Sequence, residues 1–278
     1  MNTYPSISSI LKKYDIRGGQ HDQHFLKDES TLDAIVKASD LKKDETVLEI
    51  GPGIGNLTER MLDCTKEVIA VELDYSLVNV LQDRFKGVDN LKIIHGDILD
   101  IKLPQFDKAV ANLPYSISSE ITFKLFKHKF KLGVLMYQYE FAKRMIAKTN
   151  SKDYSRLSVN TNYFADASII RKVPKGAFIP IPEVQSAIIK LIPRPAPYKI
   201  DNEEFFLSFV RAVFSQRRKK IRNAIILANH LLHIPNVKDV VNMLPEKFMN
   251  KRAENLTPEE LGVLSNQITS IKNQRFSL

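Results

Sequence analysis

The feature that most constrains the fold is an alternation of two kinds of segment along the first half of the chain. Short runs rich in β-branched residues occupy 46–50, 68–73 and 91–95, and amphipathic segments at 57–62 and 77–85 lie between them. Strands that alternate with helices in this way build βαβ units, in which neighbouring strands run parallel. The sequence therefore predicts an α/β fold with a parallel sheet and helices on both of its faces.

The same alternation continues beyond residue 100. It predicts strands and helices in turn at 108–111, about 119–127, 132–138 and about 140–147. Two further β-like runs, 158–164 and 185–191, follow without a helix between them. Large α/β sheets often carry such strands at one side, so we expect them to close the sheet as a mixed or antiparallel edge.

A proline-rich segment divides the chain. Residues 193–197 carry three prolines at alternate positions, which favours an extended linker. After it, apolar residues from Phe205 to Val213 recur at helical spacing, and Thr257 and Pro258 form a helix start. We expect a first domain at 1–192, a linker at 193–197 and a small all-α domain at 198–278.

The charge balance indicates the kind of partner. Lysine and arginine number 41 against 32 acids, a net charge of +9, which favours a polyanion. We see no apolar run of about 18 residues and no leader-like segment, so a cytoplasmic location without membrane contact is expected. The single cysteine, Cys64, allows neither an internal disulfide nor a cysteine-based zinc site, and we predict no metal.

A glycine-rich turn follows the first predicted strand. In Glu49-Ile-Gly-Pro-Gly-Ile-Gly-Asn56, Gly51 and Gly53 permit a sharp bend and a close approach of ligand. The third glycine is one position too early for a dinucleotide fingerprint, which disfavours an NAD site. Glu72 ends the second strand and Asp97 follows the third. Three successive strand ends therefore converge on a crevice the size of a nucleoside.

A second constellation follows the fourth strand, in Asn112-Leu113-Pro114-Tyr115. Pro114 stiffens this turn, which presents the side-chain carbonyl of Asn112 and the backbone carbonyl of Leu113 as two acceptors beside a ring. Two acceptors suit the exocyclic amine of a base, whose lone pair is otherwise delocalised into the ring. Holding its hydrogens concentrates electron density on the nitrogen and aims it at an electrophile.

These motifs together resemble one family. The glycine-rich turn, Val71-Glu-Leu-Asp74, Gly96-Asp97 and Asn112-Leu-Pro-Tyr115 are similar to class I S-adenosylmethionine methyltransferases, which have a Rossmann-like sheet. More narrowly, the chain resembles the KsgA-type small-subunit rRNA adenine dimethyltransferases, as further matches show: Gln23-His-Phe-Leu26, Arg156-Leu-Ser-Val159, Phe178-Ile-Pro-Ile-Pro-Glu-Val-Gln-Ser-Ala187, residues 209–224 and residues 252–261.

The resemblance implies a reaction and a partner. The family transfers methyl groups from S-adenosylmethionine to the N6 amines of two adjacent adenosines near the 3′ end of small-subunit rRNA. The partner implied is that RNA, within an assembling 30S-type subunit, and we expect a monomer. A large-subunit rRNA methylase and a ribosome-assembly checkpoint protein with secondary catalysis stay open as alternatives.

The resemblance also implies residue roles. Cofactor contacts fall on His24, Leu26, Gly51, Gly53, Glu72, Asp97 and Asn112. Catalysis falls on Asn112, Leu113, Tyr115 and Phe178, with the rings of Tyr115 and Phe178 sandwiching the target adenine. Such stacking is typical of flipped or single-stranded bases.

A basic segment opens the helical domain. Its six cations are Arg211, Arg217, Arg218, Lys219, Lys220 and Arg222. A charge run is often a solvated helix face, but here it is predicted to contact RNA phosphates, which position a substrate without reading its sequence.

Overall fold

The computed structural model describes residues 6–18 and 23–276. The helices are α1 (Ile7–Lys13), α2 (Glu29–Ser39), α3 (Asn56–Leu62), α4 (Tyr75–Arg84), α5 (Ser118–Phe126), α6 (Tyr139–Met145), α7 (Arg156–Phe164), α8 (Glu203–Ser215), α9 (Ile221–Leu227), α10 (Asn229–Leu232), α11 (Val237–Asn242), α12 (Glu246–Met249) and α13 (Pro258–Phe276). The strands are β1 (Phe25–Leu26), β2 (Thr46–Ile50), β3 (Glu67–Glu72), β4 (Leu91–His95), β5 (Lys108–Asn112), β6 (Leu132–Gln138), β7 (Ala165–Val173), β8 (Phe178–Ile179) and β9 (Ser186–Pro193).

Among the described residues, seven strands form one sheet in the order β4-β3-β2-β5-β6-β9-β7. The first five of these run parallel, and β9 lies antiparallel to β6. The chain moves outward from β2 to β4 and then returns to the other side of β2 with β5, so the strand order reverses between β2 and β5. The predicted α/β class and the antiparallel closing strand at 185–191 are confirmed.

The central strands explain why the sequence forms this sheet. In β2, Val47, Leu48 and Ile50 are buried, and the central residues of β3 and β5 are likewise buried and apolar. Strands covered by helices on both faces need such continuous apolar runs. The sheet then packs Leu32 and Ile35 of α2 and Met61 of α3 against it.

A second, two-stranded pairing anchors the N-terminal arm, which we define as residues 23–26. Phe25 and Leu26 of β1 pair antiparallel with Ile179 and Phe178 of β8. The side chain of Asn56, at the start of α3, donates to the Leu26 carbonyl at 3.1 Å. The arm is therefore held by backbone pairing and by the helix that follows the glycine-rich turn.

The chain divides into two compact units. Unit 1 comprises 1–142 and 167–193, and unit 2 comprises 143–166 and 194–278. The boundary at Pro193 falls at the start of the predicted linker. The domain limits expected from the sequence differ from these units in one respect, since they place 143–166 in the first domain. Residues 143–166 belong to unit 2 because Tyr154, Val159 and Tyr163 lie in the same apolar core as Phe206 and Phe209.

The strand predicted at 158–164 is wrong. These residues belong to α7, whose Leu157, Val159 and Tyr163 are buried. The edge strand of the sheet is instead β7, which begins directly after that helix. β-Branched and aromatic residues favour strands only weakly, and packing in unit 2 overrides that preference.

No helix in the described part of the chain combines the length and the apolar character needed to cross a membrane.

Candidate active site

A cavity of about 300 Å³ opens beyond the carboxyl ends of the parallel strands in unit 1. It lies where β2 and β5 adjoin, the position at which open α/β sheets bind ligands. The predicted residues that line it are His24, Leu26, Gly51, Gly53, Glu72, Asp97, Asn112, Leu113 and Tyr115. Both constellations found in the sequence therefore meet in one place.

The glycine-rich turn forms the floor of this cavity. Gly51 and Gly53 have φ values of +65° and +61°, in the left-handed region that glycine adopts without strain. A Cβ added at Gly53 would lie 3.2 Å from the Phe25 ring of the arm. The turn thus needs glycine both for its backbone angles and for the close passage of the arm.

Glu72 is held in place by backbone amides. The Gly53 N–H donates to Oε2 and the Asp74 N–H donates to Oε1, each at 3.0 Å. Burial raises the pKa of Glu72, while these amide hydrogen bonds oppose the rise. The carboxylate is thereby fixed at the end of β3, with further lone pairs available to ligand hydroxyls.

Glu49 is a buried acid whose environment the sequence did not reveal. It is 2% exposed, lines the cavity and accepts a hydrogen bond from the Thr58 hydroxyl at 2.6 Å. Burial raises the pKa of Glu49 to about 8, and the charge of Glu72 adds to the rise. Glu49 is therefore largely protonated at neutral pH.

Asp97 lies on the loop after β4. One of its oxygens accepts from the Leu99 N–H at 2.8 Å, which sets the carboxylate against the loop backbone. Lys124 of α5 donates to the carbonyls of Leu99 and Ile101 at 2.7 and 2.6 Å. Lys124, which sequence reasoning missed, thus ties this loop to the helix that follows the Asn112 motif.

The Asn112 amide has a defined orientation. Its Nδ2 donates one hydrogen to the backbone carbonyl of His24 at 3.0 Å, which sets the plane of the amide, and the amide oxygen is an acceptor. Leu113 is 2% exposed, and its N–H bonds to the Met136 carbonyl at 3.3 Å. These contacts fix the turn between β6 and the arm.

Tyr115 begins a short 3-10 helix, Tyr115–Ile117, at the side of the cavity. Its hydroxyl is hydrogen-bonded to the hydroxyl of Ser186. The ring next to it is the His24 imidazole, with centroids 6.1 Å apart and planes at 26°. The His24 Nδ1–H in turn donates to the Pro180 carbonyl at 2.9 Å.

Phe178 packs differently from the other residues predicted to be catalytic. Its backbone in β8 pairs with that of Leu26 in β1. Its side chain is fully buried and packs in the sheet core with Leu32 and Ile188. Phe178 does not line the cavity, whereas Tyr115 does. The sandwich of Tyr115 and Phe178 around a base stays a prediction, and in this structure the ring of Phe178 packs between the arm and the sheet.

The basic segment belongs to unit 2, and its members differ in their partners. Arg217 pairs with Glu254 at 2.8 Å and Lys220 bonds to Asn250 at 3.0 Å. Arg222 pairs with Glu246 at 3.0 Å. The members whose residues are exposed are Arg211, Arg218, Lys219 and Lys220. The segment therefore combines cations that are paired within unit 2 with cations open to solvent.

Comparisons with known proteins agree with this geometry. The family model described as ribosomal RNA adenine dimethylase matches residues 19–250. A protein of Methanosarcina mazei named "Probable ribosomal RNA small subunit methyltransferase A" is 64% identical over 97% of this chain and 100% of its own length. A Pyrococcus abyssi protein of the same name is 41% identical over 91% of this chain and 92% of its own.

Solved structures are similar over nearly the whole chain. A dimethyladenosine transferase from Plasmodium falciparum has a TM-score of 0.76 and 32% identity, covering 90% of this chain and 98% of that one. The 23S rRNA methyltransferase ErmE has a TM-score of 0.65 and 25% identity, covering 88% and 99%. The glycine-rich turn, the carboxyl groups of Glu72 and Asp97 and the Asn112 motif line one cavity. Together with the family model and these relatives, they show that this chain belongs to the ribosomal RNA adenine dimethylase family.

Proposed function

We propose that this chain transfers methyl groups from S-adenosylmethionine to the N6 amines of two adjacent adenosines near the 3′ end of small-subunit rRNA. The observation that carries the proposal is the orientation of Asn112. Its nitrogen donates one hydrogen to the His24 carbonyl, and the amide, whose oxygen is an acceptor, lines the cavity together with Tyr115. An exocyclic amine is the group such an acceptor recognises.

The residues present fit a nucleoside cofactor. Glu72 is fixed for two ribose hydroxyls, and Asp97 stands at the next strand end for an adenine amine. Gly51 and Gly53 line the cavity where the methionine moiety would lie, with His24 and Leu26 contributing from the arm. When bound, S-adenosylmethionine supplies an electrophilic methyl group on its sulfonium.

The chain's own residues position the target base and its amine for methyl transfer. The Asn112 oxygen and the Leu113 carbonyl accept the two hydrogens of the target amine, which favours a pyramidal nitrogen and directs its lone pair toward the methyl carbon. The Tyr115 ring stacks on the base and holds its plane. Attack needs no strong base, since the proton leaves the nitrogen after it has gained the methyl group.

Two features support the small-subunit substrate over the alternatives. The relatives at 64% and 41% identity carry a small-subunit name, whereas the 23S enzyme is 25% identical. The basic exposed residues of unit 2 suit RNA within an assembling subunit. We further propose a cytoplasmic monomer. The intact Glu72, Asp97, Asn112 and Tyr115 favour catalysis over a purely structural checkpoint role.

The test incubates the purified protein and labelled cofactor, in separate reactions, with small subunits that lack the modification and with large subunits, and then maps the modified bases. We expect label on two adjacent adenosines near the 3′ end. Label confined to large-subunit rRNA, or absent from both, would refute the proposal.

The role of Asn112 is tested by Asn112→Ala. Loss of one preorganised group in a catalytic site costs about 10²–10³ in kcat, and here cofactor affinity should stay within about tenfold. Asn90→Ala is the matched control, because Asn90 also donates to a backbone carbonyl, that of Leu62 at 2.9 Å, but does not line the cavity. If Asn112→Ala keeps its turnover, the acceptor role is wrong.

A further inference from the structure

We propose that Ser186 is a positioning residue for methyl transfer, whose buried hydroxyl fixes the ring of Tyr115 against the target base. This inference rests on the proposed function, since it takes Tyr115 as the stacking surface for an adenine. It arises from the hydrogen bond between the Tyr115 and Ser186 hydroxyls, which neither the motif around Asn112 nor the cavity lining explains.

Ser186 is itself rigidly placed. It is the first residue of β9 and pairs with Gln138 at the end of β6. The preceding residue, Gln185, accepts a backbone hydrogen bond from Tyr139 at 2.8 Å. The Ser186 side chain is 0% exposed. Its hydroxyl therefore occupies a position set by the sheet, at the carboxyl end of β6 and next to the cavity without lining it.

Tyr115 needs such an anchor. Rotation about the Cα–Cβ bond of a tyrosine swings the whole ring between staggered positions, and the hydroxyl is the atom that this rotation moves farthest. The residue is half-buried and sits in a short 3-10 helix rather than in the sheet. A hydrogen bond at the hydroxyl therefore restrains the position of the ring. The sheet thereby determines where the ring lies beside the cavity.

The bond also limits what Tyr115 can do chemically. Its hydroxyl is engaged with a buried partner, and leaving the Ser186 hydroxyl unpaired would carry a desolvation penalty. The phenol is thus committed to structure, and the ring face is what it offers to substrate. This agrees with a reaction in which the amine is positioned by Asn112 and Leu113 and no residue abstracts a proton beforehand.

The experiment is a double-mutant cycle of Ser186→Ala, Tyr115→Phe and both together. Each variant is assayed for kcat/KM with the small subunit, for affinity toward S-adenosylhomocysteine and for thermal stability. A typical hydrogen bond corresponds to a factor of about 2–10. We expect each single variant to lower kcat/KM for RNA by that factor, the double variant to be no worse than either, and cofactor affinity to change less than twofold.

The matched control is Tyr137→Phe. Tyr137 and Thr122 form another buried pair of hydroxyls, at 2.9 Å, and neither lines the cavity. This variant should lower stability and leave kcat/KM unchanged, since the bond is remote from the base.

Three outcomes would overturn the role of Ser186: effects of the two single variants that multiply, a Ser186→Ala enzyme with unchanged kcat/KM, or an equal effect from Tyr137→Phe. Failure of the proposed function is recognised separately, because the unmodified protein would then methylate no small subunit at all.

Discussion

Replacing Glu49 with glutamine should change how the stability of the protein depends on pH. Glu49 is fully buried beside Glu72, and burial raises its pKa to about 8 from an ordinary value of 4.5. Between these two values the folded chain keeps a proton that the unfolded chain has released. Because the folded state binds more protons there, its stability falls as pH rises.

The magnitude follows from the two pKa values. The contribution of Glu49 is fully present below pH 4.5 and is lost progressively as the pH rises to about 8. The slope is about 1.4 kcal/mol per pH unit within this window, and the whole effect is about 5 kcal/mol. Glutamine is an uncharged isostere that can still accept from the Thr58 hydroxyl, so Glu49→Gln removes the slope and retains the contact.

The assay is urea unfolding of both proteins at half-unit steps from pH 5 to pH 9. We expect similar stability at pH 5 and a growing advantage of Glu49→Gln above it, levelling off near pH 8. The exposed Glu183→Gln serves as control and should track the unmodified protein. Parallel pH profiles for Glu49→Gln and the unmodified chain would show that Glu49 is ionised in the folded state and would refute the reasoning.

Two further predictions concern the glycine-rich turn and the basic segment. Gly55→Ala should cost about 1–3 kcal/mol more in unfolding free energy than Gly87→Ala: both have φ above +80°, but a Cβ at Gly55 would lie 2.5 Å from the Phe85 ring, whereas one at Gly87 meets nothing within 4 Å. Equal losses in chemical denaturation would remove the steric argument. Neutralising the exposed Arg218 and Lys219 together should weaken RNA binding and reduce the slope of log affinity against log salt by about 1–2. An unchanged slope in a binding titration would place these side chains away from phosphate.

The parallel part of the fold could be predicted from sequence because strands that are buried on both faces of the sheet appear in the sequence as nearly continuous apolar runs. Strand β2 and its neighbours carry that signal at most of their positions. The segment 158–164 has the same residue types, yet it forms α7 because its apolar side chains meet the core of unit 2. That core includes residues as distant in sequence as Ile268, so the local pattern at 158–164 does not reveal whether the segment forms a helix or a strand.

The candidate site shows the same limit. Residues at strand ends, such as Glu72 and Asp97, were found because topology brings the ends of parallel strands together. Phe178 was assigned to the base pocket by motif alone, and a motif does not say which side of a strand a ring occupies. Ser186 was missed as a functional residue because its contact with Tyr115 joins positions 71 residues apart.

The pairing of β1 with β8 has a consequence for synthesis of the protein. His24 meets Pro180 across 156 residues and Asn112 across 88. In a growing chain the arm is made before the sheet, but β8, the strand that receives it, is made only after most of the sheet. Contacts between distant positions also form later than local ones. An unfinished chain therefore has its glycine-rich turn, Glu72 and Asp97 before the arm can pair with β8 and complete the cavity. We expect the chain to become able to transfer methyl groups only late in translation.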